Sequence, residues 1–139
     1  MIQLTRDPID PRHILAAVQS PAAGAVVLFL GTVREWTGEK RTLALTYEAY
    51  VDMARAELDQ LTAEACNRWP LTGCAVEHRL GRVDIGETSV AIAVGAAHRR
   101  AAFEAGQWLI DRVKEVVPIW KQEHYADGAT EWVHPPATG

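Results

Sequence analysis

The sequence is poor in cysteine: 139 residues carry two, Cys66 and Cys74, eight positions apart. It has no Cys-x-x-Cys and no histidine at metal-ligand spacing, so neither a disulfide framework nor a zinc site is expected. Long apolar runs are missing as well. The longest, Ala25 to Leu30, is far short of the ~20 residues that span a bilayer. Met1 to Asp7 contains no basic stretch leading into an apolar one, so no secretory leader is expected and the cytoplasm is the expected compartment. There is no internal repeat and no low-complexity segment. Positive charge is not in excess: 14 Lys and Arg against 18 Asp and Glu leave a net charge of −4. Whole-molecule attraction to nucleic acid or to an anionic membrane is therefore excluded, and any anion must be held by a local basic cluster. Gly-x-Ser-x-Gly, P-loop and dinucleotide fingerprints are all absent.

What is present is ordinary for a folded domain, with 48% hydrophobic and 23% charged residues. Length alone predicts one domain, here placed at residues 1–134, with 135–139 as a loose tail because two prolines and no large apolar group leave it little to dock with. The pattern alternates strands and helices. Ile2 to Thr5 reads as a strand. Asp10-Pro11 opens a short helix to about Gln19, with Asp as N-cap and Pro at the first position. Gly24 to Val33 reads as a buried strand, Glu35 to Arg41 as a polar loop, and Thr42 to Tyr50 as a strand with Leu43, Leu45, Tyr47 and Ala49 on one face. Asp52 is the expected cap of a helix to about Trp69, with Met53, Ala54, Leu58, Leu61 and Ala65 as its apolar stripe. Cys74 to Val83 and Thr88 to Ala97 read as a hairpin. A second long helix is expected from about His98 to Val117, with a stripe of Ala102, Phe103, Gly106, Leu109, Ile110, Val113 and Val117. Ile119 to Tyr125 and Thr130 to His134 close the chain as another hairpin. Two long helices over a mixed, largely antiparallel sheet make an α+β fold.

Three places attract chemical interest. His98-Arg99-Arg100 puts cations at a helix N-terminus, where they oppose the macrodipole unless an anion joins them. The plain alternative is a solvated basic turn, with Glu104 relieving Arg100 one turn on. Lys114 and Lys121 flank Pro118, whose turn would bring two ammonium groups toward one pocket, each disfavouring the other's charge. The plain alternative is a lysine suited to a helix C-terminus and another guarding a sheet edge. Gly31-Thr32-Val33-Arg34 ends a buried strand with an arginine able to read phosphate bidentately, or is simply a strand end. Cys66 and Cys74 read as unreactive thiols.

Taken in order, Gly24-Ala25-Val26-Val27 with Gly31-Thr32-Val33-Arg34, Tyr47-Glu48-Ala49-Tyr50 with Met53-Ala54, Arg68-Trp69-Pro70, His78-Arg79-Leu80-Gly81, His98-Arg99 with Ala102-Phe103-Glu104-Ala105, and Pro118-Ile119-Trp120-Lys121-Gln122-Glu123 resemble the catalytic (large) subunit family of molybdopterin synthase. The resemblance covers about Gly24 to Val133. It implies an α/β-hammerhead arrangement and a sulfur transferase of molybdenum cofactor biosynthesis. Such an enzyme turns cyclic pyranopterin monophosphate into molybdopterin, with sulfur from the thiocarboxylated C-terminal glycine of a small ubiquitin-like subunit. It also implies a homodimer within a heterotetramer, and no cofactor or metal. By the same resemblance Lys114 and Lys121 are the catalytic residues, and Thr32, Val33, Arg34, His98, Arg99, Gln122 and Glu123 bind substrate. Three rivals make other predictions: a phosphate- and partner-binding module without catalysis, a Schiff-base lysine enzyme, and a cysteine-relay sulfurtransferase.

Overall fold

A computed structural model describes residues 1–133. The expected end of the last strand at His134, the domain boundary there and the tail all lie outside the described residues. The elements run β1 (Ile2–Thr5), α1 (Pro11–Val18), β2 (Ala25–Thr32), β3 (Trp36–Thr37), β4 (Lys40–Ala49), α2 (Val51–Arg68), β5 (Leu71–Arg79), β6 (Gly81–Asp84), β7 (Thr88–Ala96), α3 (Arg99–Val116), β8 (Ile119–Tyr125) and β9 (Thr130–Val133).

Two sheets form. The first has the order β1-β5-β7-β2, with β1 parallel to β5 and the rest antiparallel. The second is built on β4, which pairs with β3, β6 and β8, and β8 carries β9. The α+β expectation holds. Strand β7 shows why the first sheet is covered on both faces. Val90, Ile92, Val94 and Ala96 face the α2–α3 layer, while Ala91 and Ala93 alternate onto the α1 side, where Ile14 and Val18 pack. Leu58 of α2 and Leu109 of α3 are fully buried, each contributing about 1.5–3 kcal/mol of transfer free energy.

Several expectations change. Leu43 is exposed, because the β4–β8 register skips from Thr42 to Ala44 and leaves it as the extra residue of a bulge. Met53 and Phe103 lie outside the apolar stripes, 60% and 62% exposed, and Ala105 is buried instead. Asp52 is not the cap of α2. Tyr50 holds that position without a side-chain bond, and Asp52 lies in the first turn, where its charge suits the dipole. The Glu35–Arg41 loop contains β3, folded back on the start of β4. The strand expected from Cys74 to Val83 breaks at Leu80. Gly81, at φ +81°, turns the chain so that β5 stays in the first sheet and β6 joins the second. That corner joins the two sheets.

Candidate active site

Strand β2 delivers the first group. After Thr32 the backbone turns inward: Val33 N–H donates to Glu87 O at 3.1 Å, and Val33 O accepts from Gly86 N–H at 2.8 Å. The Val33 side chain is 3% exposed and packs on Leu45 and Val83. Its side chain and both backbone groups thus serve the fold, and its effect on the site is to fix where the exposed Thr32 and Arg34 leave the strand. Gly31 is required just before: a Cβ there would lie 2.6 Å from Val90 Cγ1.

Helix α3 supplies the second group. His98 is its extended N-cap, makes no side-chain capping bond, and is followed by a first turn with no acidic residue. Glu104 accepts from Trp69 Nε1 at 3.1 Å and lies 3.8 Å from Arg100. Arg99 has no acid partner among the described residues. His98, Arg99, Arg100, Phe103 and Glu104 line an open recess of about 550 Å³.

The third group lies at the far end of α3 and along β8. Lys114 is exposed in the last turn of the helix, where a cation suits the dipole, and forms no ion pair among the described residues. Tyr50 N–H donates to Pro118 O at 3.3 Å, which pins the corner into β8. On β8, Lys121, Glu123 and Tyr125 alternate onto one face, and Gln122 and His124 onto the other. Lys121 Nζ is 3.7 Å from Glu123 Oε1. The phenol of Tyr125 lies 2.6 Å from Glu123 Oε2 and 3.0 Å from Glu131 Oε2. Glu123 and Tyr125 are buried. The two carboxylates push the phenol's ionisation well above the ordinary tyrosine range, first through the Glu123 hydrogen bond. No pattern in the primary sequence points to Tyr125 or Glu131. The β8–β9 register, which sets Glu123 opposite Glu131, exposes both.

The groups do not converge within one chain. Ala25 pairs with Ala96 and Thr32 with Thr88, so His98 and Arg34 leave opposite ends of the β2–β7 pair. Eight residues of strand separate those ends, about 26 Å at ~3.3 Å per residue. Helix α3 spans the same length in reverse, since its 18 residues rise about 27 Å. Lys114 therefore shares Arg34's end of the sheet. So does Lys121, opposite Tyr47 on β4, the strand whose Leu45 packs on Val33. His98 and Arg99 stand alone at the other end.

Other reactive side chains are poorly placed. Burial pushes the Cys74 thiol up to about 12, and Cys66 is exposed on α2. Burial lowers the His78 imidazole to about 4, and its Nδ1 lies 2.8 Å from Arg79 O. Among the described residues, no three His, Cys, Asp or Glu side chains come together as a metal site, and no helix is long and apolar enough to cross a membrane.

Fold and site together define a class: an α+β protein that holds, at both ends of one sheet, cations without acid partners among the described residues, suited to an anionic ligand. The pattern of the MoaE protein family matches residues 4–116. The chain is 47% identical over 131 residues to the molybdopterin synthase catalytic subunit of Bacillus subtilis (strain 168), covering 94% of this chain and 83% of that one. The crystal structure of molybdopterin synthase from Staphylococcus aureus aligns with a TM-score of 0.89 at 38% identity, covering 94% of each chain. A chain from the Helicobacter pylori 26695 protein–protein complex of subunits 1 and 2 of molybdopterin-converting factor shares the fold, with a TM-score of 0.75 at 23% identity over 96% of this chain and 88% of that one. The chain belongs to the MoaE family, whose relatives here are molybdopterin synthase catalytic subunits.

Proposed function

We propose that this protein transfers sulfur from the thiocarboxylated C-terminal glycine of a small ubiquitin-like subunit to cyclic pyranopterin monophosphate, forming the dithiolene of molybdopterin. The observation that carries the reading at residue level is that Arg34, Arg99 and Lys114 are all exposed and without acid partners among the described residues, in a chain with these relatives. Cations left unpaired in this way are available to an incoming anion.

Arg34, His98 and Arg99 hold the precursor through its phosphate, with the free N–H groups of the α3 N-terminus adding to the guanidinium donors. Lys114 and Lys121 line the place where the glycine tail arrives. Their ammonium groups stabilise the oxyanion that develops as sulfur leaves the carboxyl carbon, and one of them moves the proton. Glu123 sets the Lys121 ammonium and Thr32 borders the pocket, while Gln122 points to the opposite face of β8 from Lys121. The chemistry uses no thiol of this chain. A span of about 26 Å along β2 is far longer than one pterin monophosphate. Each site is therefore shared in a homodimer: Arg34, Lys114 and Lys121 come from one protomer, and His98 and Arg99 from its partner. One small subunit docks at each site, giving a heterotetramer. The relatives' description as subunits supports an assembly, and the cytoplasm is the compartment we assign.

The test is a single turnover with a thiocarboxylated small subunit and cyclic pyranopterin monophosphate, with products read by mass spectrometry. A two-sulfur product is expected. Lys121→Ala should lower the rate roughly 10²-fold with folding intact, the usual cost of one oxyanion donor. Binding of both substrates with no sulfur in the product would instead favour a non-catalytic module.

A further inference from the structure

The Tyr125 hydroxyl has one proton and two carboxylate acceptors, Glu123 at 2.6 Å and Glu131 at 3.0 Å. Glu123 and Glu131 are direct cross-strand partners on β8 and β9. Like charges opposite one another destabilise a strand pair unless something holds them together. Here the phenol does so, with Lys121 closing the inner end at 3.7 Å. The Lys40 ammonium, 4.6 Å from the Tyr125 ring centroid, covers the outer side. Glu123 is 6% exposed, so its carboxylate cannot rely on water to set its orientation. Its two oxygens are divided: Oε2 takes the phenol and Oε1 faces Lys121. Turning the carboxylate to follow one partner would move it from the other.

We propose that Tyr125 and Glu131 are positioning residues for Lys121, acting through the Glu123 carboxylate. The inference rests on the reading that Lys121 serves the sulfur-transfer site. Tyr125 locks the carboxylate plane so that Oε1 presents to the ammonium. Glu131 competes for the same proton and sets how much of the phenol's donation Glu123 receives. The charged and titratable groups around the carboxylate pair are Lys121 and Tyr125 on β8, Lys40, Arg41 and Tyr47 on β4, Glu39 just before it, and Asp127 in the β8–β9 turn.

The two outer residues make opposite predictions. Tyr125→Phe keeps the buried ring and removes the donor, so the Glu123 carboxylate loses the bond that fixes its plane. Glu131→Gln removes the competing negative charge from an exposed position, so the phenol donates more fully to Glu123. In the complete synthase, kcat should fall about tenfold in Tyr125→Phe, the equivalent of one lost hydrogen bond, with KM for the pterin unchanged. In Glu131→Gln kcat should instead rise, because Glu123 then receives the whole of the phenol's donation. Proton NMR of the free chain supplies a readout independent of turnover: a far-downfield Tyr125 hydroxyl resonance, kept in Glu131→Gln and displaced in Glu123→Gln. A kcat that falls in both variants, or changes in neither, would overturn the proposal, as would a resonance indifferent to Glu123→Gln. If Lys121→Ala itself turns over normally, the underlying assignment of Lys121 fails instead, whatever the NMR shows.

Discussion

His78 shows how one side chain ties pH to stability. It stands on β5 with its ring 5.0 Å from that of Tyr47, edge to face, and is 6% exposed. Burial lowers its imidazole to about 4 from an ordinary 6.5. Between those values the unfolded chain binds a proton that the native chain does not. The stabilisation is therefore full above about pH 6.5 and is lost as pH falls toward 4, by up to about 3 kcal/mol. Urea denaturation across that window should show the decline, and His78→Phe should flatten it. The motif His78-Arg79-Leu80-Gly81 marks this segment in the sequence. Its burial is not legible there, since a histidine on a strand reads equally well on either face. Lys121 presents the same problem. Its type and place were legible, but its pairing with Glu123, and Glu123's with Tyr125, depend on which alternate residues face inward.

At the scale of elements, the stops were the clearest signals. Pro11 starts α1 and Pro118 follows the end of α3, where a missing N–H and a fixed φ leave little choice. Register was harder. The bulge at Leu43 and the break at Leu80 both interrupt patterns that read smoothly in one dimension, because pairing with two different sheets outweighs local alternation. Helix α3 is the element whose sequence conflicts most with its own stability. Arg99 and Arg100 occupy a first turn that has no acidic residue, against the macrodipole. Arg99→Gln should therefore raise the free protein's stability by a few tenths of a kcal/mol while weakening precursor binding. Thermal melts, set beside KM for the pterin, will show both signs together.

At the scale of the whole molecule, the length of the first sheet dominates. It holds His98 and Arg99 about 26 Å from the end that carries Arg34, Lys114 and Lys121. A heterodimer made from one Arg99→Ala protomer and one Lys121→Ala protomer tests the shared site. With sites built across a two-fold axis, one site has every residue intact and the other has neither, so about half of wild-type turnover should return from two inactive parents. Sites built within single chains would leave the mixture inactive. Tandem affinity purification of the mixed dimer, followed by single-turnover kinetics, provides the measurement.

The sequence by itself determined the α+β class, the helix ends marked by proline, and the family, because periodicity, proline and motif order are local and survive in one dimension. Which strands join which sheet, and which cations share an end, were decided only in three dimensions. The reason is physical. Antiparallel pairing of β2 with β7 sends the residues that leave their termini to opposite edges, and α3 must run the sheet's full length to bury its apolar stripe. Residues adjacent in a motif list are thereby separated, and Lys114 is carried to Arg34's end of the molecule.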